Sequence, residues 1–403
     1  MGCNTIGELE RNVRNKLTFH TPIWRFYYSV VANRLAAKQI GEILKVSQKT
    51  TIDSCCHISP NIILIIGESY GKRHSSLYGY SMDTTPLQKE MEKDGNLITF
   101  SDVVSPMNAT SFVFKNMFST YTIGSEGNWS EYPLFPILFR KAGYHVTFLS
   151  NEFVPDLKSG NDVFAFSGSF FMNQADLSKL LFDKRNEELF DYDDGLLNIY
   201  DTKYKNTEKE YNLTVFHLIG QHFDYKLRYP ESRSHFTAKD YEVKRSNLSL
   251  EQRQILSEYD NATLYNDSIV AEIIKRYSSK EAVVIYVPDH GEECYEGNRN
   301  IKGRTRSPLD WEKAKYQYEI PFWIYCTPLY KEKHPNIYKD IVNAKNRQFM
   351  TDALPHLLIH LAGISTKWYS EQFDILSPRY NNQRKRLLEE SVDYNLLRTK
   401  NTK

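Results

Sequence analysis

Two short apolar runs, each stopping at acidic residues, limit the folds open to this chain. Ile62–Ile66 is five consecutive aliphatic residues followed by Gly67-Glu68-Ser69, and Ala282–Val287 is followed by Pro288-Asp289-His290-Gly291. An apolar run with no polar alternation reads as a strand buried on both faces, which needs cover on both sides. Leu97–Phe100, His145–Ser150, Leu213–Ile219 and Ile320–Tyr325 read as further strands, and Ile255–Tyr277 as a long amphipathic helix. Strands separated by helices predict an α/β fold, a three-layer α/β/α sandwich around a mostly parallel sheet. The polar stretches 231–253 and 297–316 read as loops over the sheet edge, and the basic tail after Pro378 as a surface wrap.

Residues 1–58 stand apart as an N-terminal linker, with residues 59–403 as the main domain. After Pro22, apolar residues at Trp24, Tyr27, Tyr28, Val31, Leu35, Ile40 and Leu44 recur at helical spacing, with Arg25, Arg34, Lys38 and Glu42 between them. Such a helix packs on the main domain or lies at a membrane surface. No apolar run approaches the ~20 residues of a membrane span, and no apolar segment follows Met1 as in a secretory signal. The sequence as written therefore predicts a soluble chain without an export address. A net charge of +1 in 403 residues gives no reason to expect nucleic acid. Five cysteines without repeated spacing form neither a disulfide framework nor a cysteine zinc site.

Functional groups in open α/β sheets gather at the carboxyl ends of strands. Here one strand end offers Glu68 and another Asp289 beside His290. Carboxylate oxygen and imidazole nitrogen together suit zinc, or less selectively manganese. Asp289 and His290 converge on a metal only if the backbone turns, and Gly291 makes a turn cheap. Otherwise Asp289 caps a helix and His290 is an ordinary surface residue. Thr110, in Ser105-Pro-Met-Asn-Ala-Thr110-Ser111, precedes an apolar stretch and reads as a helix N-cap. With a metal and the helix N-terminal field beside it, the same hydroxyl is a nucleophile. His217-Leu-Ile-Gly-Gln-His222 places two histidines at one strand end.

These pieces occur in one order. Asn61-Ile-Ile-Leu-Ile-Ile-Gly-Glu-Ser69 comes first, followed by Gly79-Tyr80 with Thr84-Thr85-Pro86, then Asn108-Ala-Thr110 with Met117-Phe-Ser119. Ala142-Gly-Tyr144 leads to Ser150-Asn151, and His217-x-x-Gly-x-His222 to Arg228-Tyr-Pro230. Tyr259-Asp-Asn-Ala-x-Leu-Tyr-Asn-Asp267, Asp289-His-Gly-Glu292 and Glu319-Ile-Pro-Phe322 complete the set. From about residue 60 onward the chain resembles the phosphoethanolamine transferases of the alkaline phosphatase/sulfatase superfamily.

The resemblance implies an alkaline phosphatase-like fold and a catalytic zinc held by Glu68, Thr110, Asp289 and His290. It implies that Thr110 takes phosphoethanolamine from phosphatidylethanolamine and passes it to lipopolysaccharide, on lipid A or a core sugar. His222 matches a histidine beside the phosphoryl group, and Asn151 with Glu152 falls near the headgroup-binding segment. The family works at the periplasmic face of the bacterial inner membrane. Three departures stand out. The further histidine usual after the Asp-His-Gly-Glu stretch is replaced near Lys302 and Arg304, which argues against a second zinc there and offers positive charge to the phosphate instead. Cysteine pairs of some members are missing around Thr110. The family's membrane helices are absent, and residues 1–58 look like the segment that joins them to the catalytic domain, as in a truncated or unanchored form. A phosphoglycerol transferase or another phosphodiesterase of the superfamily, or a non-catalytic glycan- or lipid-binding relic, is the alternative reading.

Overall fold

The structure, a computed structural model, describes Leu9 and residues 21–154, 171–297, 299–305 and 307–401. Seven strands form the central sheet: β1 (Asn61–Gly67), β2 (Leu97–Thr99), β3 (His145–Ser150), β4 (Lys184–Arg185), β5 (Asn212–His217), β6 (Ala282–Pro288) and β7 (Trp323–Cys326). Their order across the sheet is β2-β7-β6-β1-β5-β3-β4. All neighbours pair in parallel except β7, which runs antiparallel to both β6 and β2. β1 therefore sits at the centre, with β5 on one side and β6 on the other.

Helices cover both faces, as the unbroken apolar runs require. On one face Ile62, Leu64 and Ile66 pack with Val113, Phe114 and Phe118 of α2 (Thr110–Phe118) and Leu357 and Leu358 of α4 (Leu354–Ala362). On the other, Ile63 and Ile65 pack with Ile269, Val270 and Ile273 of α3 (Leu250–Tyr277). Full burial of each such side chain stabilises by roughly 1.5–3 kcal/mol. α3 starts five residues before the expected Ile255. A capping box sets its start: Ser249 Oγ accepts from Gln252 N–H (3.2 Å), and Gln252 Oε1 accepts from Ser249 N–H (2.9 Å).

The stretch expected to be a loop at 297–316 contains the start of a helix, Trp311–Gln317, with Asp310 Oδ1 accepting from Lys313 N–H. α1 (Pro22–Lys49) packs on the main domain through its second half, where Ile43 is buried and Glu42 accepts from Ser130 Oγ (2.6 Å). Its first half leaves Ile23, Phe26 and Val30 exposed. Among the described residues no helix is long and apolar enough to cross a membrane. Cys55, Cys56, Cys294 and Cys326 are free thiols, and Cys3 lies outside the described residues. The tail does more than wrap the surface: Arg386 is fully buried, and its guanidinium meets Asp102 Oδ1 at 2.7 Å.

Candidate active site

The carboxyl ends of β1 and β6 are locked together by backbone bonds. Asp289 N–H donates to Gly67 O and Tyr70 N–H to His290 O, both at 2.9 Å. Ser69 takes the left-handed conformation (φ 55°), and its N–H donates to Asp289 Oδ1 at 3.1 Å. The turn expected at Gly291 is not left-handed. Glycine is needed there because a Cβ would lie 2.5 Å from the Tyr316 carbonyl oxygen. Close approach of the backbone at the end of the Trp311–Gln317 helix fixes that position.

The result is a cluster in which one ligand atom from each of Glu68, Asp289 and His290 lies within 4.8 Å of the others, all fully buried. Thr110 joins it as the first residue of α2. Ala109, not Thr110, is the N-cap residue, and no side chain caps this helix. The Thr110 hydroxyl donates instead to Glu68 Oε2 (3.0 Å), while Ser69 Oγ donates to Glu68 Oε1 (2.7 Å). The helix N-terminal field therefore acts where that hydroxyl sits.

His290 is turned for ligation. Its Nδ1 lies 2.9 Å from the Gly291 carbonyl, which can only accept, so the proton is on Nδ1 and Nε2 presents a lone pair. Nε2 is 3.0 Å from Asp289 Oδ2, which is buried and receives no hydrogen bond among the described residues. Two lone-pair atoms facing each other in a dry site call for a cation. Arg304 supplies part of it, donating from Nη1 to His290 Nε2 at 2.7 Å. Two carboxylates, an imidazole and a hydroxyl fit a zinc ion, or less selectively manganese.

Burial dominates the ionisation of the cluster. It raises the pKa of Glu68, helped by the nearby Asp289 charge, and it raises that of Asp289. Burial and then Arg304 push His290 down to about 3, and burial lifts Glu292 to about 8. A cation in the cluster reverses the sign of this field for the carboxylates.

The other expected site residues divide. Arg304 reaches the cluster, delivered by a two-strand hairpin in which Lys302–Gly303 pairs with Glu293–Cys294. Lys302 stays outside it, exposed, with Nζ over the Phe223 ring. His222 is half-buried, and its Nδ1 lies 2.6 Å from the Phe223 carbonyl, which leaves Nε2 outside that contact. Asn151 spends both ends of its amide on the scaffold, donating to Asp193 Oδ1 and accepting from Phe190 N–H. Its neighbour Glu152 turns inward with His217, whose Nε2 lies 3.2 Å from Glu152 Oε2. Sequence reasoning gave these two residues little weight. The available signal was the period of two along β3, which puts residues 150 and 152 on the side facing His217 and 151 on the other.

The sequence model of the sulfatase family matches residues 60–364. The chain belongs to the sulfatase family. Within it, the chain is 28% identical to phosphoethanolamine transferase EptC of Escherichia coli strain K12 over 325 residues, 79% of this chain and 53% of that one. It is 30% identical to phosphoethanolamine transferase EptA of Helicobacter pylori, over 77% of this chain and 55% of that one. The chain thus spans about half the length of the curated relatives it matches. The periplasmic domain of Escherichia coli EptC superimposes with a TM-score of 0.68 at 25% identity, covering 84% of this chain and 93% of that one. That domain has also been solved as a complex with zinc, with the same TM-score of 0.68. The alkaline phosphatase-like fold and the kinship with phosphoethanolamine transferases, both expected from the motifs, hold.

Proposed function

We propose that this family member is a zinc-dependent phosphoethanolamine transferase. In this reading it moves phosphoethanolamine from phosphatidylethanolamine, through Thr110, to a lipid A or core-sugar hydroxyl of lipopolysaccharide at the periplasmic face of the inner membrane. One observation carries the reading: the Thr110 hydroxyl heads a helix and is held by Glu68 within the Asp289–His290 cluster. Glu68, Thr110, Asp289 and His290 would hold the zinc, which when bound supplies the Lewis acidity that lowers a hydroxyl pKa.

In the first half-reaction the Thr110 oxygen, its proton already lost to solvent, attacks phosphorus, and the bond from phosphorus to the diacylglycerol oxygen breaks. Arg304 and the N–H groups at the start of α2 face the charge that develops on the phosphoryl oxygens. His222 gives a proton to the departing oxygen from Nε2 and takes one from the acceptor hydroxyl in the second half-reaction, which frees Thr110. Two half-reactions at one site give ping-pong kinetics. The donor specificity is tested by comparing diacylglycerol release from phosphatidylethanolamine and phosphatidylglycerol. The intermediate is tested by mass spectrometry of peptides after exposure to donor lipid alone. The expected result is one phosphoethanolamine unit on Thr110 and none in a Thr110→Ala variant. Turnover retained by Thr110→Ala sinks the proposal.

A further inference from the structure

Glu68 belongs to a second cluster that the proposed chemistry does not use. One ligand atom from each of Glu68, Glu152 and His217 lies within 4.8 Å of the others. The three residues leave the carboxyl ends of β1, β3 and β5, which are direct neighbours in the sheet. His217 is fully buried, with Phe114 and Phe153 rings against it at 4.7 and 5.9 Å between centroids. Its Nδ1 is 2.9 Å from Ser150 Oγ, which fixes the ring so that Nε2 faces Glu152. Glu152 Oε2 is buried, and beyond its 3.2 Å contact with His217 Nε2 it receives no hydrogen bond among the described residues.

Charge points the same way. Glu68, Glu292, Asp289 and Glu152 all act on the guanidinium of Arg304. Burial lifts Glu292 to about 8, so at neutral pH it is protonated and three carboxylates share one cation. One divalent ion beside Asp289 and His290 cancels the two excess negative charges. An ionised Thr110 oxygen and a substrate phosphodiester bring two more into the same dry space, and buried charge without a counter-charge is costly. A carboxylate shared by two divalent ions is how paired-metal phosphotransfer sites meet this demand.

We infer that Glu68, Glu152 and His217 form a second divalent-metal site, for zinc or manganese, which shares Glu68 with the site proposed above and faces the substrate phosphate. The inference rests on that first site. The second site lies on the β3–β5 side of Glu68, and its Glu152 still feels the Arg304 charge.

The test is metal stoichiometry. The full chain is stripped with chelator, dialysed against zinc and measured by mass spectrometry, with zinc-edge anomalous diffraction to locate the ions. The wild type is expected to hold two zinc equivalents, Glu152→Gln one, and Asp289→Asn to lose the ion at the first site. Circular dichroism checks folding. Should Glu152→Gln fail to fold, Glu152→Asp is expected to weaken the second equivalent at least tenfold in a competition titration with a chromophoric chelator. A single equivalent in zinc-saturated wild type overturns the inference, and means that His217 merely holds Glu152 through Nε2–H. Two equivalents in Glu152→Gln also overturn it. No zinc in the wild type removes the first site as well, so the two failures are distinct.

Discussion

Arg304 is the residue to remove first, because it does in the metal-free protein part of what a metal ion would do. Its Nε lies 3.5 Å from Glu292 Oε2, and its Nη1 is hydrogen-bonded to His290 Nε2. A pair at that distance in an effective dielectric of about 20 attracts by about 5 kcal/mol. Two effects reduce the cost of Arg304→Ala. The side chain is 26% exposed, so water screens part of the field. Glu68 and Glu292, already raised by burial, take up protons when the guanidinium goes. The expected loss in chelator at pH 8 is about 2–3 kcal/mol, near the lower end for breaking a buried pair. In a domain of this size that is a fall of about 3 °C in melting temperature. Zinc should narrow the gap, since the ion then supplies the missing charge and repels Arg304 in the wild type. Differential scanning calorimetry with chelator and with zinc reads both numbers. Equal melting of wild type and variant in chelator, or a gap that widens with zinc, refutes the electrostatic account.

Gly291→Ala pushes a Cβ against the Tyr316 carbonyl and should cost about 1–3 kcal/mol while displacing His290, so zinc content falls with far-ultraviolet circular dichroism unchanged. His74 is buried between Asp260 (2.8 Å) and Glu296 (2.5 Å). Burial opposes its charge, but the two carboxylates more than offset that and raise its pKa from 6.5 to about 9. Its contribution is therefore complete below about 6.5, the unfolded value, and is lost as pH rises through about 9. His74→Gln should lose about 3 kcal/mol in urea denaturation at pH 6 and far less at pH 10. An equal loss at both values would mean that packing, not charge, is what the histidine supplies.

The centre of the fold was legible because short, unbroken apolar runs such as β1 and β6 read as strands buried on both faces. Their acidic ends, Glu68 and Asp289, followed from the geometry of parallel sheets. The antiparallel course of β7 was not legible, since Trp323–Cys326 has the same composition whichever way it runs. Thr110 looked like a cap on residue type alone. Its distinguishing feature is a partner, Glu68, forty-two residues away in sequence, and nothing local encodes that. Asn151 and Glu152 were visible as a pair, but which one faces the site depends on the register of β3 against β5. Arg304 reaches the cluster through a hairpin of two-residue strands, too short to leave a periodic signal.

The central position of β1 carries a consequence for synthesis. Its parallel partners β5 and β6 end at residues 217 and 288, so the most apolar segment of the sheet is made long before either neighbour exists. At about 5–20 residues per second, the roughly 150 residues from the end of β1 to the end of β5, the first of its partners to be made, take about 7–30 s. Throughout that time Asn61–Gly67 is an unpaired strand with no charge in it, the kind of segment that stacks on copies of itself. The chain cannot begin its core from the N-terminal end, and non-local pairing of this kind folds slowly. It stays unfolded for longer than a protein of similar size built from local hairpins, and it depends on whatever keeps nascent chains apart in that interval.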